Sequence, residues 1–299
     1  MKTDMSANSS SNSSLHPQLG NCFNSRINIY FYTVILMSYI LICLPLFIFV
    51  LYVGYRRWRN QPSAATTVMT SHSDIFTFNM VVLELICILG YCFLLYGLYT
   101  GQQTVLVVGL YILFPLSAGQ TLFHLLTCVE RYLAVVHPIT YLGRRQSGGV
   151  RIRNISIGCG WLLSFGSVCL LVINPQFLTI SNLLLLVVSF VVMSFCSLSV
   201  LCVLIHPGPG EVGGQRERVD QSKQRAFYTI MVITGALSLR FMTNLVSYGV
   251  TLSLFSLSER CIVSLVSTWS SLPSSLVLPL LFLHRAGKLP GCKHNTESG

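Results

Sequence analysis

Residues 128–142 read C-V-E-R-Y-L-A-V-V-H-P-I-T-Y-L, at the end of an apolar run that covers 104–136. Ionised side chains are costly in hydrocarbon, so we expect Glu130 and Arg131 to lie where a membrane helix leaves the bilayer. Proline lacks a backbone donor and disfavours helical geometry in the residue before it. The pair His137 and Pro138 therefore predicts the end of this helix.

The composition is typical of a polytopic membrane protein. Of the 299 residues, 53% are apolar and only 9% are charged, and the mean hydropathy is +0.67. The net charge is +10, but the basic residues stand in short segments between apolar runs. That placement indicates membrane topology and excludes a nucleic-acid partner. We predict an all-α fold without a second folded domain.

Seven apolar runs are long enough to cross a bilayer, which takes about 20 helical residues. Runs four and five are separated only by Asn174, Pro175 and Gln176, so one long hairpin is the alternative at that boundary. The sequence predicts a seven-transmembrane bundle at 27–285, between a disordered tail at 1–26 and a short tail beyond 285. The runs cover 28–54, 75–98, 104–136, 152–173, 177–205, 226–251 and 261–283.

Most of the 19 lysines and arginines follow runs one, three and five or lie in the C-terminal tail. Because basic residues favour the cytoplasmic side, the N-terminus is predicted outside and the C-terminus in the cytoplasm. Asn8 and Asn12 then stand in external N-x-S sequons and are predicted to be glycosylated. The alternative is that a tail rich in Ser and Asn contains such sequons by chance.

Residues 130–138, E-R-Y-L-A-V-V-H-P, resemble the third-helix signature of the rhodopsin-like (class A) G-protein-coupled receptors. In the second apolar run, 79–85 reads N-M-V-V-L-E-L and resembles the family's N-L-A-x-x-D-L. Trp161 stands where the fourth helix of the family carries a tryptophan. Pro279 and Phe282 belong to L-P-L-L-F, which resembles N-P-x-x-Y near the end of the seventh helix.

The resemblance implies a plasma-membrane receptor that couples a ligand to a heterotrimeric G protein. In the inactive state, Arg131 would pair with Glu130 and Asp220, an arrangement that we call the inner lock. In the active state, Arg131 would contact the G protein, while the second inner loop supplies charge to this partner and to anionic membrane lipids. The residues implied in coupling and in the inner lock are Glu130, Arg131, Tyr132, Asp220, Arg144 and Arg145.

Several family hallmarks are absent. Phe47 stands in place of the first-helix Asn, Leu278 in place of the seventh-helix Asn, and 237–241 reads L-S-L-R-F where the family has C-W-x-P-F. The cysteines of the family's usual disulfide are missing, so Cys22 and Cys261 are the candidates for a different bridge on the outer side.

The absent hallmarks leave a second class of function open, a receptor-like decoy or scaffold that binds without signalling. A small polytopic transporter is a third class, but it would predict internal repeats, and the sequence shows none. An enzyme is not predicted, because no nucleophile–base or metal-ligand cluster stands at the mouth of a span. No cofactor is predicted.

Four polar side chains inside the spans form a predicted intramembrane core, since such groups are functional candidates in a membrane protein. Glu84 stands where the family binds sodium, but its oxygen shell looks thin. The alternative is a protonated Glu84 that hydrogen-bonds Asn79 or Ser274, because burial favours the neutral form of a carboxyl group. We expect His124 to be a packed, hydrogen-bonded residue. The core comprises Asn79, Glu84, Gln120 and His124.

Arg240 is the only basic residue well inside a span, about 21 Å above the cytoplasmic end of its helix at 1.5 Å per residue. One interpretation is structural, with hydrogen bonds to Gln120, Asn244 or Glu84. The other is ligand binding, in which Arg240 and Asn244 contact a small anionic or lipid-like molecule through a carboxylate or phosphate.

Two further features of the sequence carry predictions. Cys292 lies among basic residues beyond the last span and is a candidate for palmitoylation, although an unmodified tail thiol is the equal alternative. Glycines within the second and third apolar runs are expected at close helix–helix contacts. They are Gly90, Gly97, Gly109 and Gly119.

Overall fold

The structure, a computed structural model, describes residues 26–60, 72–137, 149–205, 216–252 and 257–286. The regular secondary structure in these ranges consists of α-helices, and no strand occurs among the described residues. The prediction of an all-α fold is therefore confirmed. The helices are α1 (Arg26–Arg59), α2 (His72–Thr100), α3 (Gln103–Val136), α4 (Gly149–Ile173), α5 (Pro175–Ile205), α6 (Arg216–Leu252) and α7 (Leu257–Arg285).

Six of these helices, α1 to α5 and α7, are long and apolar enough to cross a membrane. Large apolar side chains point outward along them, for example Leu162 with 73% and Leu184 with 62% of the side chain exposed. An apolar outer surface is what a bilayer requires of a spanning helix. The chain is thus a multi-pass membrane protein. The side chains of α6 are described from Met231 to Val250 only, and the seventh span stays a prediction.

The helix ends follow local sequence signals. The third helix stops at Val136, where the backbone N–H of His137 donates to the Leu133 carbonyl at 3.1 Å. This is the end that the following proline predicts. Between α4 and α5 the break is a single residue, Asn174, whose Oδ1 accepts from the backbone N–H of Phe177 at 3.0 Å. Asn is a preferred N-cap and proline a preferred first helical residue, so α5 begins as a separate helix.

The third helix, α3, has several neighbours in the bundle. It contacts α2, α4 and α5, while α7 packs on both α1 and α6. Glycine permits the closest approaches: a Cβ added at Gly109 would stand 2.9 Å from the Gly90 carbonyl oxygen and 2.9 Å from the Leu94 nitrogen of α2. A Cβ at Gly119 would meet the Ser164 hydroxyl of α4. The prediction of glycine at close helix contacts is confirmed here.

Replacing Gly109 by alanine should lower stability by about 1–3 kcal/mol, because the added methyl group meets backbone atoms that have no free rotation. The matched control is Gly166→Ala on the exposed face of α4, where no heavy atom lies within 4 Å of the added Cβ. Alanine has the higher helix propensity, so the control should be neutral or stabilising by up to about 1 kcal/mol. Melting temperatures of the two purified full-length variants compare the sites. Equal melting temperatures would show that α2 and α3 are not in close contact.

Three apolar clusters surround the centre of the bundle. The first joins α1, α2 and α7 around Phe47, Val81 and Phe282. The second joins α2, α3 and α7, and the third joins α3, α5, α6 and α7. Phe47 is fully buried in the first cluster.

Candidate functional site

A buried set of polar side chains connects five helices, and we call it the central polar network. Each member is at most 8% exposed. Buried polar groups of this kind need hydrogen-bond partners, because water is not available to them. The members are Tyr39 of α1, Glu84 of α2, Gln120 and His124 of α3, Arg240 of α6, and Ser274 and Ser275 of α7.

Glu84 forms one end of this network. The Tyr39 hydroxyl donates to Glu84 Oε2 at 2.7 Å, and the Ser275 hydroxyl donates to Glu84 Oε1 at 2.8 Å. The Tyr39 and Ser275 oxygens are themselves 2.8 Å apart. Both carboxyl oxygens therefore accept hydrogen bonds, and the three side chains connect α1, α2 and α7.

Arg240 forms the other end. Its Nη2 donates to Gln120 Oε1, and its Nη1 donates to Ser274 Oγ at 3.2 Å. Nη1 also lies 3.4 Å from His124 Nε2. A guanidinium has donors only, so this His124 nitrogen must be the acceptor and the proton of the neutral ring resides on Nδ1. These contacts connect α6 to α3 and α7.

Gln120 lies between the two ends. Its Oε1 accepts from Arg240, and its Nε2 donates to the Cys87 sulfur of α2 at 3.4 Å. Cys87 lies about one helical turn from Glu84 on the same helix. The Gln120 amide thus has Arg240 at its oxygen and the helix that carries Glu84 at its nitrogen.

The sequence predicts part of this arrangement. Glu84, Gln120 and His124 come together as the predicted core. Asn79 does not join them: its Oδ1 accepts from Trp161 Nε1 at 3.0 Å, which connects α2 to α4. Arg240 has the Gln120 contact that the structural interpretation named. Asn244 contacts Ser267 of α7 instead, through its Oδ1 at 2.7 Å.

The partners of Glu84 differ from those that the sequence suggested. The alternative of a protonated Glu84 names Asn79 or Ser274 as its partner, whereas the structure has Tyr39 and Ser275. Successive helical residues point about 100° apart, since a turn takes 3.6 residues, so Ser274 and Ser275 face different neighbours. A tyrosine in the first span is the signal that sequence reasoning missed, because a buried Tyr hydroxyl usually has a partner.

The contacts of Glu84 do not form a recognisable sodium site. Hard cations are bound by shells of oxygen acceptors, whereas the side chains that contact the Glu84 oxygens are two hydroxyl groups that donate to them. The Arg240 guanidinium supplies a positive charge on the far side of Gln120. Among the described residues, no group of three His, Cys, Asp or Glu side chains is placed to hold a metal ion.

The E-R-Y triplet lies at the end of α3. Glu130 is buried and Arg131 is half-buried. The Tyr132 hydroxyl lies 3.3 Å from His137 Nε2, and its ring is 6.0 Å from that of Phe195 on α5. The triplet therefore stands beside α5. The described side chains do not include Asp220, Arg144 or Arg145, and the inner lock stays a prediction.

Of the remaining predicted positions, some lie within the described residues and others lie outside them. Pro279 lies within α7, and the ring of Phe282 is 5.2 Å from that of Phe78 on α2. Cys261 is disulfide-bonded, and its partner lies outside the described residues, so the pairing with Cys22 stays a prediction. Three further positions also lie outside the described ranges, namely Asn8, Asn12 and Cys292.

Serines on α7 are the functional candidates that sequence reasoning did not collect. Ser267 contacts Asn244 of α6, and the Ser270 hydroxyl lies 2.6 Å from that of Thr243, which also belongs to α6. Together with the Ser274 contact to Arg240, they form a polar seam between α6 and α7. Serine is common in membrane helices, so only the spacing of several on one helix face could have indicated it.

Comparison with known proteins assigns no family to this chain. No protein-family model matches it, and a search of curated proteins finds no relative. A functional assignment therefore rests on the geometry of the helices, of the central polar network and of the E-R-Y triplet.

Proposed function

We propose that this protein is a rhodopsin-like G-protein-coupled receptor of the plasma membrane. It crosses the bilayer seven times, with the N-terminus outside and the C-terminus in the cytoplasm, and it couples a ligand to a heterotrimeric G protein. The observation that carries the proposal is the E-R-Y triplet at the end of α3, in a chain whose described residues form seven long helices. Glu130 is buried there although its side chain is acidic, which supports a specific partner over a chance helix end.

The helix contacts suggest how the signal would cross the bundle. A ligand that binds one packing better than another shifts the population towards that packing. In this proposal the moving element is α6, whose cytoplasmic end would swing outward while its contacts to α3 and α7 at Arg240 rearrange. The cytoplasmic ends of α3, α5 and α6 would separate in the active packing, and Arg131 would then face the G protein.

One observation favours the second candidate, a receptor-like decoy or scaffold. The sixth helix contains no proline in its 37 residues, and a buried arginine stands in the segment where the family has its kink. An unkinked α6 fixed at its middle by hydrogen bonds would bind ligands in one packing only. Such a protein would reach the cell surface and never activate a G protein.

Topology and coupling can be tested together on full-length protein with an epitope tag at each end. We expect intact cells to bind antibody against the N-terminal tag, and only permeabilised cells to bind antibody against the C-terminal tag. Membranes from these cells should exceed mock membranes in ligand-independent nucleotide exchange by at least one class of Gα subunit. A C-terminal tag accessible on intact cells would reject the receptor. Correct topology without exchange by any Gα class would favour the decoy.

A further inference from the structure

One carboxyl group and one guanidinium group lie in the centre of the bundle. Among the residues whose burial is described, the buried carboxyl and guanidinium side chains are those of Glu84, Glu130 and Arg240. Glu130 belongs to the end of α3, which leaves one carboxyl and one guanidinium group in the central polar network, beside the imidazole of His124. Each of them alone would be strongly unfavourable in a membrane interior.

We propose that Arg240 is the counter-ion of Glu84 and that the Gln120 amide is the relay between them. The protein itself then supplies the positive charge in the centre of the bundle. Gln120 turns its carbonyl oxygen towards the guanidinium and its NH₂ group towards α2. This orientation places the negative end of the amide dipole at Arg240 and the positive end at Cys87, which is about one helical turn from Glu84 on α2. In the proposal, the amide stabilises both charges.

The contacts of Glu84 and Arg240 define two groups of helices, which share α7. The acid connects α1, α2 and α7 through Tyr39 and Ser275. The base connects α3, α6 and α7 through Gln120 and Ser274. Attraction between the charges holds the two groups together at a depth where no water competes for them. The pair thus stabilises the inactive packing of the helices, and no bound cation is needed to balance the charge of Glu84.

A buried charge pair has a characteristic response to mutation. Removing one partner leaves the other charge uncompensated and is strongly destabilising, whereas removing both is often nearly neutral. Glu84→Gln and Arg240→Met keep the approximate size of each side chain and remove its charge. We expect each single variant to lower the melting temperature of the full-length protein by several degrees. The double variant should melt above both single variants.

The matched control is Asn244→Ala on the same helix, which removes the contact to Ser267 and leaves both charges in place. Combined with Glu84→Gln, its effect should add to that of the acid variant, since independent sites are additive. If a single variant yields no folded protein, the amount of monodisperse protein replaces the melting temperature. The double variant should then restore a folded peak that the single variants lack.

Sodium itself is the second probe. The wild-type melting temperature should be the same in sodium chloride and in choline chloride of equal ionic strength. A higher melting temperature in sodium that disappears in Glu84→Gln would overturn the proposal, and so would additive effects in the double variant. Neither measurement uses a G protein, so this inference can fail while the receptor function holds, and the reverse.

Discussion

Arg131→Ala is expected to reduce ligand-independent nucleotide exchange to the level of mock membranes while the protein still reaches the cell surface. In the proposed function, Arg131 is the group that faces the G protein, and a half-buried guanidinium at the end of α3 has no substitute in the neighbouring Tyr132 or Glu130. A planar fork of five donors makes contacts that alanine cannot make. The matched control is Arg151→Ala, an exposed arginine near the start of α4. It should retain the exchange activity.

If the wild type shows little ligand-independent exchange, a variant without the inner lock should give a higher level from which a loss can be measured. Asp220→Asn removes the predicted acidic partner of Arg131 and should raise ligand-independent exchange, because the inactive packing loses a charge pair. In that background, Arg131→Ala should lower exchange at least about tenfold, which corresponds to about 1.4 kcal/mol. If Asp220→Asn leaves exchange unchanged in cells where the wild type couples, the inner lock does not exist. Exchange that survives Arg131→Ala would exclude the triplet from coupling.

The helices could be predicted from the sequence because their signals are local. Hydropathy identifies each run, a proline marks the end of α3, and Asn174 with the following proline separates α4 from α5. None of these signals depends on how one helix faces another. The close contacts of Gly109 and Gly119 were also predictable, since glycine in a membrane helix commonly marks a site of close approach.

The partners within the central polar network could not be predicted in the same way. Gln120, His124 and Arg240 stand out in apolar runs, but their pairing depends on the rotation of each helix about its axis. Serine adds a second uncertainty, since its hydroxyl can bond a carbonyl of its own helix. Ser164 does so with Gly160 at 2.8 Å, whereas Ser275 bonds Glu84 of another helix. The residue type alone does not distinguish the two cases.

Gln120→Met is expected to have the second large effect, a loss of folded protein. Methionine has nearly the size of glutamine, so the packing of α3 is kept while Arg240 loses its acceptor and the Glu84 side loses the amide dipole. Both charges remain in this variant, but losing the acceptor of a buried charged donor lowers the free energy of unfolding by about 1.5–3 kcal/mol. The melting temperature and the yield of monodisperse full-length protein measure this loss.

The matched control is Thr127→Val, two turns further along α3. Thr127 is as buried as the network, but its hydroxyl bonds only the Phe123 carbonyl of its own helix, at 2.8 Å. Losing that bond should lower the free energy of unfolding by about 1 kcal/mol. If Gln120→Met melts at the temperature of this control, Gln120 is not the relay between the charges.

Gln120→Glu separates the two halves of the relay. Glutamate keeps an acceptor for Arg240 and forms a direct ion pair with it, but it brings a second acid to the side of Glu84 and removes the NH₂ group that contacts Cys87. Like charges that share a buried site are unfavourable together. We therefore expect Gln120→Glu to melt below the wild type and above Gln120→Met, and a further Glu84→Gln replacement to raise its melting temperature. A decrease on adding Glu84→Gln would contradict this expectation, because it would show that removing Glu84 relieves no net repulsion between the two carboxylates.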